Sequence, residues 1–378
     1  MKFLRVGLST TTIEPVLTGG RLDGIGVYTT ALMKGLPEVG CSVTGWSFPP
    51  PFKTVRAGMF SAGEKMPRSF EAWSLRDLVL PTGRGRLPMD LFHATDYRIV
   101  RMQCPVVATL HDAIPLKHPE WTSPRLRGLK NWLQKTAAGK ADHVIAISKF
   151  AVAELVEYFH IDERNITVVH AGVGSEWYVP PPPEDVDETL RANGLQSGYF
   201  LFVGTLQPRK NVERIIDAYK SLPAAVRRAR QLVIVGHAGW RCDDLINKIR
   251  TMVQNGEQVI WLSNLAQKNQ LRHVYKGAGV FVFPSLHEGF GIPVVEAFAS
   301  GVPVVTSNTT SLPEVSQGAA LEVDPLAVDD IAAAMLALAT DDALRQRCID
   351  AGRRRAAQLT WNQAVEKTAA VYRKVLGR

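Results

Sequence analysis

Four cysteines are all that this 378-residue chain holds, and they are scattered. Cys41, Cys104, Cys242 and Cys348 make no Cys-x-x-Cys pair and no metal-ligand spacing, so a zinc module or a disulfide framework is excluded. Buried thiols in a reducing, cytoplasmic compartment fit better. No apolar run approaches the roughly 18 residues of a membrane span. The segment Met1-Lys2-Phe3-Leu4-Arg5-Val6-Gly7-Leu8-Ser9 loses its apolar character too early for a signal peptide and reads as a first strand. There is no internal repeat, no low-complexity tract and no dense Arg/Lys run. The net charge of +8 and pI of 9.3 therefore point to phosphorylated substrates or an anionic lipid surface, and nucleic acid is not expected as a partner. Asp185-Val186-Asp187 spells a metal-binding pattern but lies in a proline segment rather than at a strand end, so no metal is expected.

What is present is a strand–helix alternation, given twice. Apolar strands are predicted at 3–8, 91–94, 106–110, 144–147 and 166–169, with helical patterns between them at 27–36 and 151–159. The stiff segment Pro180-Pro181-Pro182-Pro183 reads as a linker. A second series follows at 199–203, 232–235, 259–262, 280–283 and 303–306. Such alternation gives parallel sheets covered on both faces. The predicted fold is α/β, with two doubly wound Rossmann-like domains, 1–180 and 181–358, facing across a cleft. An amphipathic C-terminal helix covers 359–378. Ligands of such sheets bind beyond the carboxyl ends of the strands.

The loops at those ends hold the candidates. After the strand 280–283 comes Glu288-Gly289-Phe290-Gly291-Ile292-Pro293-Val294-Val295-Glu296. Gly289 and Gly291 permit close backbone approach, Pro293 suits a first helical turn, and amides at a helix start favour a diphosphate. Glu296, inside the helix, can accept both hydroxyls of a ribose; it has no Lys or Arg at i±3 or i±4. Gly204 leads into Arg209-Lys210, two cations at a strand-to-helix turn that can neutralise a diphosphate. His111-Asp112 ends the strand 106–110. His111 is a candidate sugar-hydroxyl contact, with a structural His as the alternative, and Asp112 orients His111 or its loop. Gly24 and Gly26 open the first long helix, where backbone approach to phosphate or acceptor competes with a plain helix entry. Ser148 is read as an N-cap. The segment 125–135, with its cations and Leu126, Leu129, Trp132 and Leu133, fits an anionic membrane face or, preferred here, a helix packed into the first domain's core.

The string Pro284-Ser285-Leu286-His287-Glu288-Gly289-Phe290-Gly291-Ile292-Pro293, continued by Gly301-Val302-Pro303-Val304-Val305 and Ser311-Leu312-Pro313-Glu314-Val315, resembles the signature of retaining glycosyltransferases of family 4. The resemblance implies the GT-B fold and metal-independent transfer of a hexose from a nucleoside diphosphate sugar, with no cofactor. It implies Glu288, His111, Arg209 and Lys210 as catalytic residues. Gly204, Gly289, Phe290, Gly291, Ile292 and Glu296 would join Arg209 and Lys210 in binding the donor, and Gly24, Gly26 and Asp112 would form the acceptor or phosphate loop. Thr205 stands where one common version of the family's phosphate segment carries Arg, leaving Arg209 to make that contact too. The run from His111 to Pro119 resembles the mannosyltransferase branch of bacterial surface polysaccharide assembly. The expected donor is GDP-mannose, with UDP-sugars the alternative. The acceptor would be a glycan or a lipid-linked sugar, reached with peripheral contact at the inner face of the membrane. A non-catalytic sugar-nucleotide or glycan binder on the same scaffold is the competing reading.

Overall fold

The structure, a computed structural model, describes residues 3–51, 57–79, 86–122, 127–263, 265 and 269–378. The chain divides into two compact units, Met1–Ala171 with Trp361–Arg378, and Gly172–Thr360. The division falls ahead of the proline segment. Pro183 instead opens a helix, Pro183–Ala192, inside the second unit, where fixed φ suits the first turn. Asp185 lies in that first turn, where an acid complements the helix dipole, and Asp187 follows on the same helix.

The first unit is built on β1 (Leu4–Ser9), β2 (Cys41–Ser47), β3 (Glu64–Lys65), β4 (Leu91–Ala94), β5 (Val106–Leu110), β6 (His143–Ala146) and β7 (Ile166–Val168). They form one sheet in the order β3-β2-β1-β4-β5-β6-β7, every described pairing parallel. The second unit holds β8 (Tyr199–Val203), β9 (Leu232–Val235), β10 (Val259–Leu262), β11 (Ala278–Phe283), β12 (Val304–Ser307) and β13 (Leu321–Val323). Their order is β10-β9-β8-β11-β12-β13, again all parallel. Both sheets reverse direction beside their first strand, at β1/β4 and β8/β11. These are doubly wound sheets with their switch points there. Burial on both faces explains the apolar runs: Phe202 and Phe281 each stack on Phe283, with ring centroids 5.9 and 5.7 Å apart.

The sequence reading lacked β2, β3 and β13. Cys-Ser-Val-Thr-Gly-Trp-Ser is polar at alternate places and carries a glycine, so it shows no apolar run. Gly45 is needed there because a Cβ would lie 2.5 Å from the Ala62 carbonyl oxygen. The helix Arg127–Ala138 also departs from expectation. It buries Ala137 and Ala138 in its last turn, whereas Leu129 is 52% and Trp132 47% exposed. Leu133 is partly buried and does pack against the core, and Leu126 lies outside the described residues. Small side chains make the close approach at one end, which leaves Leu129 and Trp132 outside. No helix among the described residues is long and apolar enough to cross a membrane.

The C-terminal helix, Trp361–Val375, packs on the first unit. It buries Ala364, Val365, Thr368, Ala369, Val371 and Tyr372. Gly35 makes room for Val365, since a Cβ there would meet its Cγ2 at 2.6 Å. A buried polar chain locks the contact: Tyr372 Oη lies 2.6 Å from His93 Nδ1, His93 Nε2 2.8 Å from Thr109 Oγ1, and Tyr28 Oη 2.8 Å from the same hydroxyl. Burial pushes the His93 pKa down to about 3, so the ring stays neutral, with one nitrogen donating and the other accepting. Tyr372→Phe removes one partner of a buried group. Equilibrium denaturation is expected to show a loss of about 1–3 kcal/mol.

Candidate active site

β8 and β11 are neighbours in the sheet although two strands, β9 and β10, lie between them in sequence, and their carboxyl-end loops meet. The β8 loop is braced against the loop after β9: Leu206 N donates to His237 O (2.8 Å) and Gly239 N to Leu206 O (3.0 Å). Gly236 allows this approach, because at φ 146° its Cβ would sit 2.0 Å from the Gly204 carbonyl oxygen. Pro208–Lys210 then form one 3-10 turn that ends on Asn211 at φ 60°. Asparagine tolerates that left-handed position. Its Nδ2 donates to the carbonyls of Pro284 (2.9 Å) and Pro325 (2.7 Å), tying the turn to the loops after β11 and β13.

The result is a buried charge cluster. Lys210 Nζ lies 2.6 Å from Glu288 Oε1, and Arg209 donates to Glu288 Oε2 at 3.0 Å and to the His287 carbonyl at 3.1 Å. Lys210 also sits 4.8 Å above the Phe283 ring, a cation–π contact at the end of β11. The Glu288 loop is held from behind, where Ser311 Oγ lies 2.9 and 3.0 Å from the carbonyl oxygens of Glu288 and Phe290. Gly291, at φ 108°, begins the helix Ile292–Ala299, and among the described residues no side chain caps that helix start. Its Cβ would meet Leu312 at 2.7 Å, so glycine is required twice over.

The two glutamates have opposite electrostatics. Burial alone would raise the Glu288 carboxyl, but the charges of Lys210 and then Arg209 outweigh it and bring the pKa down to about 2. Glu296, on the helix Ile292–Ala299 that follows this loop, is pushed up to about 7, mainly by burial, partly opposed by a 3.1 Å hydrogen bond from Tyr275 and reinforced by the Glu176 carboxylate. Glu288 is thus locked as an anion, while Glu296 exchanges a proton near neutrality. Because the folded Glu296 pKa exceeds its ordinary 4.5, the stability it contributes is full below that value and is lost as pH rises through 7. Glu296→Gln is therefore expected to gain stability relative to the wild type as pH rises from about 5 to about 8, read from thermal melts across pH.

In the first unit, His111 follows β5 and is buried. Its Nε2 lies 2.9 Å from the Thr95 carbonyl oxygen, an obligate acceptor, so Nε2 carries the proton. Burial lowers its pKa, leaving Nδ1 as an acceptor, and the ring stands edge-on to Tyr28 at 5.1 Å. Asp112 does not bond the imidazole. It accepts from Tyr97 Oη (2.8 Å) and Ile114 N (3.0 Å) and so shapes the loop. At the glycine loop the structure shows the helix entry that competes with the phosphate reading. Gly26 N donates to the Asp23 N-cap at 2.8 Å, and a Gly26 Cβ would lie 3.0 Å from the Thr12 carbonyl oxygen, so helix capping and packing account for Gly26. Gly24 has open space around it. Ser148 caps its helix, accepting from Ala151 N at 3.0 Å.

The structure thus gathers Gly204, Arg209, Lys210 and Glu288 at one switch point, with Gly289, Phe290, Gly291 and Ile292 continuing the same loop. Glu296 stands apart from the cluster, on Tyr275. Sequence reading gave no role to Asn211, Gly236, Tyr275 or Ser311. Gly236 ends β9 as Gly204 ends β8, and that parallel was a usable signal. Tyr275 had none, since its partner lies across the fold.

A profile of the group 1 glycosyl transferases matches residues 186–355, and one of Glycosyltransferase Family 4 matches residues 22–177. The chain is 31% identical over 307 residues to O-antigen chain mannosyltransferase B of Escherichia coli, covering 80% of this chain and 77% of that protein. Among solved structures, sucrose-phosphate synthase from Thermosynechococcus elongatus superposes with a TM-score of 0.74 at 19% identity, covering 99% of both chains. HepE of Anabaena, in complex with UDP-glucose, superposes with a TM-score of 0.74 at 17% identity over 98% of this chain and 100% of that one. The charge cluster at the β8/β11 switch point therefore lies in a glycosyltransferase of the GT-B fold, and the chain belongs to glycosyltransferase family 4.

Proposed function

We propose that this glycosyltransferase moves mannose from GDP-mannose to a hydroxyl of a growing or lipid-linked polysaccharide, retaining the anomeric configuration and using no metal. The observation that carries this reading is the Arg209–Glu288–Lys210 cluster at the switch point of the second sheet. Two fixed cations there suit a leaving diphosphate, whose developing charge they stabilise without reorganising. A Glu288 held near pKa 2 is a poor proton donor at neutral pH, which argues against the general acid of a hydrolase. It serves as an anionic acceptor for donor-sugar hydroxyls and as the group that positions both cations. Glu296 anchors the ribose, and His111 offers Nδ1 to a sugar hydroxyl. The second unit binds the donor and the first the acceptor. The leaving phosphate oxygen takes the acceptor proton on the same face.

Mannose as the sugar is supported by the identity to an O-antigen chain mannosyltransferase, and an acceptor of that kind agrees with the net charge of +8 through contact with an anionic membrane face.

Glu288→Gln is expected to lower kcat/KM by about a hundredfold or more in an assay with labelled donor while the melting profile stays cooperative. Near-normal turnover would remove Glu288 from the reaction. Arg209→Ala should weaken binding of the bare nucleoside diphosphate about tenfold or more by calorimetry. Activity should survive EDTA; complete loss restored by manganese would overturn the metal-free mechanism. A thermal-shift response to UDP-sugars and not to GDP-mannose would reverse the donor assignment.

A further inference from the structure

Hydroxyl groups cross from β12 and the loop after it to the β11 loop. Thr306 Oγ1 donates to the Phe283 carbonyl at 3.2 Å, and Ser307 Oγ to that of Ser285 at 2.6 Å. Further along, Ser311 Oγ reaches the carbonyls of Glu288 and Phe290, and Thr310 Oγ1 accepts from Glu288 N at 3.4 Å. Glu288 is therefore gripped at its amide by Thr310 and at its carbonyl by Ser311.

Both of these last hydroxyls are turned away from local needs. Ser311 stands at the N-cap of the helix Leu312–Ser316, where a serine side chain ordinarily caps. Among the described residues it makes no such cap, and its hydroxyl goes to the Glu288 loop instead. Thr310 lies at φ 59°. A β-branched residue is a genuine outlier in that left-handed region, because Cβ crowds the following carbonyl. A turn that needs such a φ is ordinarily made with glycine or asparagine. To the turn itself threonine brings only strain; to the protein it brings a hydroxyl, which meets Glu288. Strain of this kind gathers at functional sites, where the surrounding structure over-determines it. The bond at 3.4 Å is long, so a small relaxation of the turn breaks it.

The grip matters because of what surrounds Glu288. Gly289 and Gly291 follow it, and glycine leaves the backbone permissive. The ion pairs with Arg209 and Lys210 hold the carboxylate through long side chains that have many rotamers of their own. A fixed backbone at residue 288 is what makes the carboxylate's position definite.

We propose that Thr310 is a positioning residue for Glu288: its strained turn presents the hydroxyl to the Glu288 amide and so sets where the carboxylate meets the donor sugar. That the carboxylate meets a sugar rests on the function proposed above.

Thr310→Gly relaxes the turn and removes the hydroxyl, whereas Thr310→Ser keeps the hydroxyl. In the labelled-donor assay Thr310→Gly should lower kcat about tenfold or more, and Thr310→Ser should stay within about threefold of the wild type. The melting midpoint of Thr310→Gly should stay at or above that of the wild type, since glycine adopts this φ without strain. A residue that merely held the fold together would lose stability and activity in step. Hydrogen exchange read by mass spectrometry is independent of turnover: amides of the segment 285–291 should exchange about tenfold faster in Thr310→Gly and at the wild-type rate in Thr310→Ser. The proposal is overturned by an unchanged kcat in Thr310→Gly, by a Thr310→Ser as impaired as Thr310→Gly, or by a melting midpoint that falls along with activity. Loop exchange that responds to Thr310→Gly but not to Thr310→Ser, in a protein that transfers no sugar, would leave the grip on Glu288 standing and remove the proposed function instead.

Discussion

The interaction that joins the strand-end loops of the second unit is the pair of cations closed onto Glu288. A carboxylate buried that far would ordinarily be protonated; two charges within hydrogen-bonding distance keep it ionised. The arrangement is reciprocal, because Glu288 also fixes where Arg209 and Lys210 stand. Long, flexible side chains are costly to order. Here the Asn211 bridge to Pro284 and Pro325 and the Gly236–Gly204 contact have already ordered their backbone. Preorganised charge of this kind needs no reorganisation to stabilise a charge that develops beside it.

The first unit shows the same economy with neutral groups. Thr109, on β5, receives both Tyr28 and His93, and His93 in turn meets Tyr372 from the C-terminal helix. Tyr28 also stands edge-on to His111. One buried hydroxyl thus couples the strand that ends in His111, the first long helix and the helix closing the chain. A fully satisfied buried network fixes geometry, whereas an apolar core would leave several packings close in energy.

Strand–helix alternation was legible because parallel strands buried on both faces must be apolar throughout, as Val106–Leu110 and Tyr199–Val203 are. The strand Cys41–Ser47, next to the short edge strand β3, lacked that signature. The helix Arg127–Ala138 was misjudged because spacing shows which residues share a face but not whether that face is turned inward.

By itself, the sequence determined the fold class, the family and the two strand-end loops that carry Glu288 and the Arg209-Lys210 pair, since each follows from local pattern: apolar runs, glycines, and cations at strand ends. Tertiary structure decided what surrounds those residues. Only the meeting of the β8 and β11 loops makes Glu288 a fixed anion, and only burial, reinforced by Glu176 and partly opposed by Tyr275, makes Glu296 a group that titrates near 7. Likewise Thr95, distant in sequence, sets which nitrogen of His111 carries the proton. A pKa or a tautomer is a property of surroundings, and surroundings come from parts of the chain that no local pattern joins.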